Sequence, residues 1–314
     1  QESLDLHPAI ASKAERGYNL FSGTPLAPFR SKPSPLSAEL SPVEAFRSIA
    51  LSCLDHFQRN EHGLRDSEDP EYVHQARVAL RRLRSAIKLF TPVLPNDFVA
   101  AYGETWKTLA SALGDARNWD VFLDETLPPI RAAFPKEPDV TRLKREGLRR
   151  ARRARKAVTT LMALAEYPKL ITEFTAAVFA LSDMVPISLA NLASNQLTRH
   201  ARKAHKLATR HAELEAAERH KMRICFKKLR YTLEFFAPLL PGKRLTPYLR
   251  ALNQLQDELG LINDHVTAEA LIGVALAKRR KGAVHGWVLG RHALLIGELP
   301  DALEIWLRQR EPWK

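Results

Sequence analysis

This sequence is poor in the residues that most often carry dedicated chemistry. It has two cysteines in 314 residues, Cys53 and Cys225, far apart in apolar stretches and without C-x-x-C spacing. That pattern argues against a disulfide scaffold or a zinc ribbon, and both residues read as buried reduced thiols. Its 11 histidines include no H-x-x-x-H and no H-E-x-x-H pair, so no metal site is expected. There is no Walker A loop and no G-x-G-x-x-G stretch to cradle a nucleotide, and no cofactor is expected. Glycine is scarce, at 13 residues, which disfavours a turn-rich sheet protein. Long apolar runs are missing too: the most apolar stretch, 170–192, is interrupted by Glu173, Asp183 and Pro186. It reads as buried helices rather than a membrane span, and with no signal peptide visible at the given N-terminus a cytoplasmic protein is expected.

Acids are also in deficit. Forty-eight Lys and Arg stand against 35 Asp and Glu, leaving a formal charge of +13. The summed field attracts polyanions, whether nucleic acid, anionic lipid or a phosphate polymer, and charge alone does not choose among them. Ala, Leu, Arg, Lys and Glu dominate the composition, which predicts an all-α protein, and the length predicts two units.

Residues 23–42, GTPLAPFRSKPSPLSAELSP, have the composition of a linker. Beyond Pro42, apolar periodicity predicts helices near 43–62, 71–91, 97–117, 119–134, 139–165, 169–183, 187–212, 216–237, 246–259, 261–279, 284–297 and 300–311. Asp69-Pro70-Glu71 is a good helix start, with an acceptor, a proline and an acid in sequence.

The pattern of the second helix returns later in the chain. VHQARVALRRLRSAIKLFTPVLP at 73–95 and RHKMRICFKKLRYTLEFFAPLLP at 219–241 share one register, 220 − 74 = 146. His74 then pairs with His220, Arg77 with Arg223, Arg81 with Lys227, Arg82 with Lys228, Arg84 with Arg230 and Phe90 with Phe236. Leu113-Gly114 falls on Leu259-Gly260 without a gap, so the chain carries an internal duplication and two similar helical halves. The expected division is 1–38, 39–186 and 187–314.

At 100° per residue, Ala76, Leu80, Leu83, Ile87 and Phe90 form one stripe of the first repeat, while His74, Arg77, Arg81, Arg84 and Lys88 fill an arc about 80° wide. The copy sets Ala217, Met222, Phe226, Leu229, Leu233 and Phe236 opposite His220, Arg223, Lys227 and Arg230, with Glu234 in place of Lys88. A solvated helix mixes signs, because like charges at i,i+4 destabilise it by a few tenths of a kcal/mol. Here they are stacked, twice, and need an external anion or acids from another helix. Further cations stand at 142–156 and 198–211, with Arg149, Arg153, Arg199, Arg202, Lys203 and Lys206 as candidates for a shared groove. KRRK at 278–281 reads as a solvated helix end.

Arginine suits phosphate, since its planar fork bonds two oxygens while staying charged. A phosphoryl relay through histidine is set aside for want of an orienting carboxylate. Nucleic acid is the rival ligand, but single-strand binders interleave stacking aromatics with their cations, and these arcs have none.

The motifs H-Q-x-R-V-A-L-R-R-L-R-S at 74 and H-x-x-R-I-x-x-K-K-L-R-Y at 220, with LGDARNWDVF at 113–122 and LGLINDHV at 259–266, resemble the paired signatures of the CHAD family over roughly 39–311. The resemblance implies two pseudo-twofold-related four-helix bundles with a central basic groove or pore. It further implies binding of inorganic polyphosphate without catalysis, in place of a phosphohydrolase or a general binder of nucleic acid or acidic protein. The contacts carried over by position are His74, Arg77, Arg81, Arg82, Arg84 and Lys88, then His220, Arg223, Lys227, Lys228 and Arg230. Association with polyphosphate granules and presentation of the polymer to a neighbouring domain are the roles it suggests. SKAERGYNL at 12–20 resembles the closing segment of a CYTH domain, a triphosphate-processing fold, and from this tail alone no triphosphatase activity is expected.

Overall fold

A computed structural model describes residues 12–23, 27–31, 36–276 and 282–314, which form helices and turns with no strand among them. The helices are α1 Lys13–Ser22, α2 Pro42–Gln58, α3 Glu61–Asp66, α4 Pro70–Phe90, α5 Asn96–Tyr102, α6 Lys107–Val121, α7 Leu127–Ala133, α8 Pro138–Met162, α9 Glu166–Ala180, α10 Leu189–Ala208, α11 Ala216–Phe236, α12 Gly242–Leu276 and α13 Ala283–Leu307. The all-α class is therefore observed. Caps written in the sequence set the starts: Ser41 and Glu44 close a capping box before α2, and the Asp69 side chain accepts from the Glu71 amide ahead of Pro70. Both repeat helices are 21 residues long and end in a one-turn 3-10 segment carrying a proline, Thr91–Val93 after α4 and Ala237–Leu239 after α11.

Several boundaries differ from those the periodicity predicts. The helix expected over 97–117 breaks after Tyr102, where the Gly103 amide bonds the Val99 carbonyl; a Cβ on Gly103 would lie 2.6 Å from that oxygen. Instead of starting afresh at 119, α6 continues through a π turn, Phe122–Thr126, into α7. The expected pairs 246–259 with 261–279 and 284–297 with 300–311 are each one helix: α12 starts at Gly242, ahead of Pro247, and runs on through Gly260, and α13 runs through Pro300. Buried residues on both sides of each expected break, Leu259 and Ile262 around Gly260, then Leu299 and Leu303 around Pro300, hold those helices together.

Two compact units emerge, one of Gln1–Arg117 with Arg152–Ile187, the other of Asn118–Ala151 with Ser188–Lys314. These units are spatial, whereas the duplicated halves are defined by register, and the two divisions part over 118–151. In the first unit α2 packs along α4, burying Phe46, Ile49, Leu80, Leu83, Ile87 and Phe90. An aromatic chain extends that core, with Phe46–Phe98 at 5.7 Å, Phe98–Phe174 at 6.1 Å and Trp106–Phe174 at 5.2 Å. The Pro/Ser-rich stretch is docked here where it is described: Asn60 exchanges two 3.0 Å hydrogen bonds with the Phe29 backbone. Glu15 of α1 pairs with Arg59 at 2.9 Å.

In the second unit α10, α12 and α13 surround α11, with Leu197, Phe226, Leu229, Leu252, Leu255, Leu303 and Trp306 in one core. Trp306 meets Phe226 edge-on at 4.7 Å. By length and composition α12 is apolar enough to cross a membrane, but Leu252, Leu255, Leu259 and Ile262 are spent in this core. A small cavity in the same unit is lined by Asn118, Val121 and Phe122 together with Asp264, Thr267 and Ala268, three pairs each related by the 146-residue register.

Glu61 of α3 is a half-buried acid in the first unit. It accepts from the Tyr167 hydroxyl, with Arg65 at 3.9 Å from its other oxygen, and burial pushes its pKa up to about 7. The fold thus holds a proton that the unfolded chain releases near its ordinary value of 4.5, so this contribution is complete below that pH and is lost as pH rises through about 7. We expect wild type to lose on the order of 2 kcal/mol more stability than Glu61→Gln between pH 5 and 8. Urea unfolding at the two pH values measures this, and parallel losses would refute the assignment.

Candidate functional site

Burial of one face of α4 decides where its cations go. Ala76, Leu80, Leu83, Ile87 and Phe90 are fully buried, leaving His74, Arg77, Arg81 and Arg84 half-buried and Lys88 exposed along the arc. The next helix but one, α6, flanks that arc: a Cβ on Gly114 would be in ordinary contact with Arg77 Nε at 3.7 Å. Arg117 of the same helix acts on His74. Burial first, then Arg117, Arg81 and Arg77, push the His74 pKa down to about 4 against the pull of Glu71. His74 is therefore neutral at pH 7, with one ring N–H to donate. Glu71 lies one turn before His74, so the carboxylate thought missing is present, but it accepts from Gln75 Nε2 at 2.7 Å.

The far end of the arc meets an acid. Glu104, in the turn between α5 and α6, lies 3.6 Å from Arg84, 3.4 Å from Lys88 and 3.6 Å from Lys107. Arg82 leaves the arc altogether. Its side chain hydrogen-bonds the Cys53 thiol of α2, which burial nonetheless pushes up to about 11, and its charge reaches His56 beside it.

The second unit repeats this division with different side chains. Met222, Phe226, Leu229, Leu233 and Phe236 of α11 are buried, whereas Ala217, expected on that stripe, is exposed. Arg223, Lys227 and Arg230 are half-buried and His220 and Lys228 exposed. Arg230 Nε lies 3.2 Å from Glu234, and its guanidinium sits 5.5 Å from the Tyr231 ring centroid. Lys228, like its equivalent Arg82, acts on a histidine of the preceding helix. Burial first, then Arg199, Lys228 and Lys203, push the His200 pKa down to about 4. Cys225 lies within reach of Lys228 and Lys203; it is half-buried, not buried as expected, and burial raises its pKa.

The remaining candidates are exposed: Arg199, Arg202, Lys203 and Lys206 on α10, Arg149 and Arg153 on α8, with Arg149 paired to Glu146 at 2.8 Å. KRRK at 278–281 lies outside the described residues. Among the described residues, no group of three or more His, Cys, Asp or Glu is placed to hold a metal ion. Four participants were missed on the sequence: Arg117, Glu104, His56 and His200. Arg117 and His200 stood inside quoted stretches; His56 and Glu104 are recognised only once α2 and the α5–α6 turn are seen beside α4.

The CHAD domain family model matches residues 48–273. A solved CHAD domain from the plant Ricinus communis is 32% identical, with a TM-score of 0.77, covering 91% of this chain and 98% of its own. PptA from Streptomyces chartreusis is 16% identical with a TM-score of 0.60, covering 85% of this chain and 98% of its own, a likeness of fold. Comparison with curated proteins gives no match.

The cause of the His74 shift is open to measurement. An NMR titration of the imidazoles should show His74 titrating near pH 4. Arg117→Ala should move that midpoint upward while leaving the burial contribution in place. A wild-type midpoint near 6.5 would refute both causes.

Proposed function

The chain belongs to the CHAD domain family, and from that premise we propose that the basic arcs of α4 and α11 bind inorganic polyphosphate, with no bond-breaking step of their own. One observation carries the reading: in both copies, cations repeat at one-turn spacing on a helix whose other face is locked in a core. Such a row is stabilised by a string of anions, each phosphate oxygen taking charge-assisted hydrogen bonds from guanidinium forks at about 2.7–2.9 Å. His74 adds a neutral donor from within the arc. Arg199, Arg202, Lys203 and Lys206, and on α8 Arg149 and Arg153, contribute long-range field more than seats, since they stand exposed. Arg82 and Lys228 belong less to the arcs than to the seams with α2 and α10. Nucleic acid is less well served, because no exposed aromatic lies in either arc and Tyr231 is buried.

Long-chain polyphosphate should displace labelled duplex and single-stranded DNA at equal phosphate concentration, with binding that weakens steeply as salt rises. Arg77→Ala and Arg81→Ala should each weaken polyphosphate binding by roughly tenfold, against less than about threefold for Arg202→Ala. DNA winning the competition would overturn the ligand, and release of orthophosphate would overturn the non-catalytic reading.

Bound polyanion should raise the His74 pKa from about 4, so binding takes up a proton. Affinity should then rise as pH falls from about 6.5 toward 4, and His74→Gln should remove that part of the rise. An identical pH profile in the variant would exclude His74 from contact.

A further inference from the structure

The basic arc of α4 ends on a carboxylate that α4 does not carry. Glu104 holds three cations at 3.4–3.6 Å: Arg84, Lys88 and Lys107. A phosphate oxygen seated between Arg84 and Lys88 would need the place that the Glu104 carboxylate already fills, since both are anionic oxygens seeking the same donors. The duplicate reaches the same result by another route. At the 146-residue register Lys88 becomes Glu234 and Glu104 becomes Arg250, so the two charges are exchanged between helix and neighbour. Glu234 then lies 3.2 Å from Arg230, the equivalent of Arg84. A carboxylate therefore occupies the last arginine of the arc in both halves, from two different positions in the sequence.

We propose that Glu104 is a specificity-determining residue: an internal stand-in for phosphate that closes the far end of the α4 arc, as Glu234 does on α11, so that only a polyanion able to displace it engages the whole row. This rests on the polyphosphate-binding reading of the same arcs. A short chain meets His74, Arg77 and Arg81 and stops there. A long chain, held already by those residues, competes for Arg84, Lys88 and Lys107 at high effective concentration. Displacement is sterically open, because the Glu104 side chain is 61% exposed and swings into water rather than into the core. Lys88 foremost, with Lys107 and Arg84, holds its carboxyl below the usual range, so it stays charged at neutral pH and mild acid does not lift the closure.

The test compares wild type, Glu104→Gln and Glu39→Gln, the last removing the same charge from the loop before α2. Anisotropy of labelled long-chain polyphosphate, with tripolyphosphate as competitor, reads both ligands. Glu104→Gln should tighten long-chain binding by roughly three- to tenfold at low salt and steepen the log–log salt slope by about one, with a smaller gain for tripolyphosphate. Glu39→Gln should change either affinity by less than about twofold. If wild type binds polyphosphate and Glu104→Gln matches Glu39→Gln, or binds more weakly, the closure is wrong while the functional reading stands. If wild type does not bind polyphosphate at all, both fall together.

Discussion

A helix with one buried face has no freedom over where its other residues point, and this constraint governs the site. Leu80, Leu83, Ile87 and Phe90 are fully buried on α4, each contributing roughly 1.5–3 kcal/mol on leaving water. Stacking Arg77, Arg81, Arg84 and Lys88 one turn apart costs only a few tenths of a kcal/mol per like-charged pair. Packing outweighs repulsion by about an order of magnitude, so the fold tolerates a row of cations that an isolated helix would not keep. On the proposed polyphosphate-binding reading, a polyanion would add to the neutralisation that Glu104 supplies at Arg84 and Lys88.

The same geometry sorts cations that look alike in the sequence. Arg81 and Arg82 are neighbours, but 100° of helix rotation separates them. Arg81 stays on the arc, while Arg82 turns to Cys53 and His56 on α2. Lys227 and Lys228 part in the same way, Lys228 acting on His200 of α10. A run of basic residues is thus two features: a row along the side of the helix that faces away from the core, and a single cation at a seam that adds to burial in lowering the pKa of a neighbouring histidine.

Local rules with strong signals were legible in the sequence. The helix start at Asp69-Pro70 and the apolar stripe of α4 both reappear in the structure, because each depends on residues close in sequence. What escaped depends on contacts between distant elements. Gly260 and Pro300 look like helix boundaries, yet burial on both sides carries α12 and α13 through them. Ala217 continues the stripe of α11 by angle but has no neighbour to cover it at the first turn. The burial that leads the fall in the His200 pKa, and the reach of Glu104 to Arg84 and Lys88, have no signature in one segment, since each needs two elements brought together.

Glu104 shows how a backbone detail becomes a property of the site. The chain leaves α5 after Tyr102, and the turn that follows puts Glu104 beside Arg84 and Lys88. In the second half Leu249 stands at the position of Gly103, the helix runs on as α12, and position 250 lies within it rather than in a turn. An acid there would have no turn to deliver it to Arg230; the residue is Arg250, and the carboxylate comes from α11 itself as Glu234. The changed helix boundary and the exchanged charges thus fall at the same connection of the two repeats.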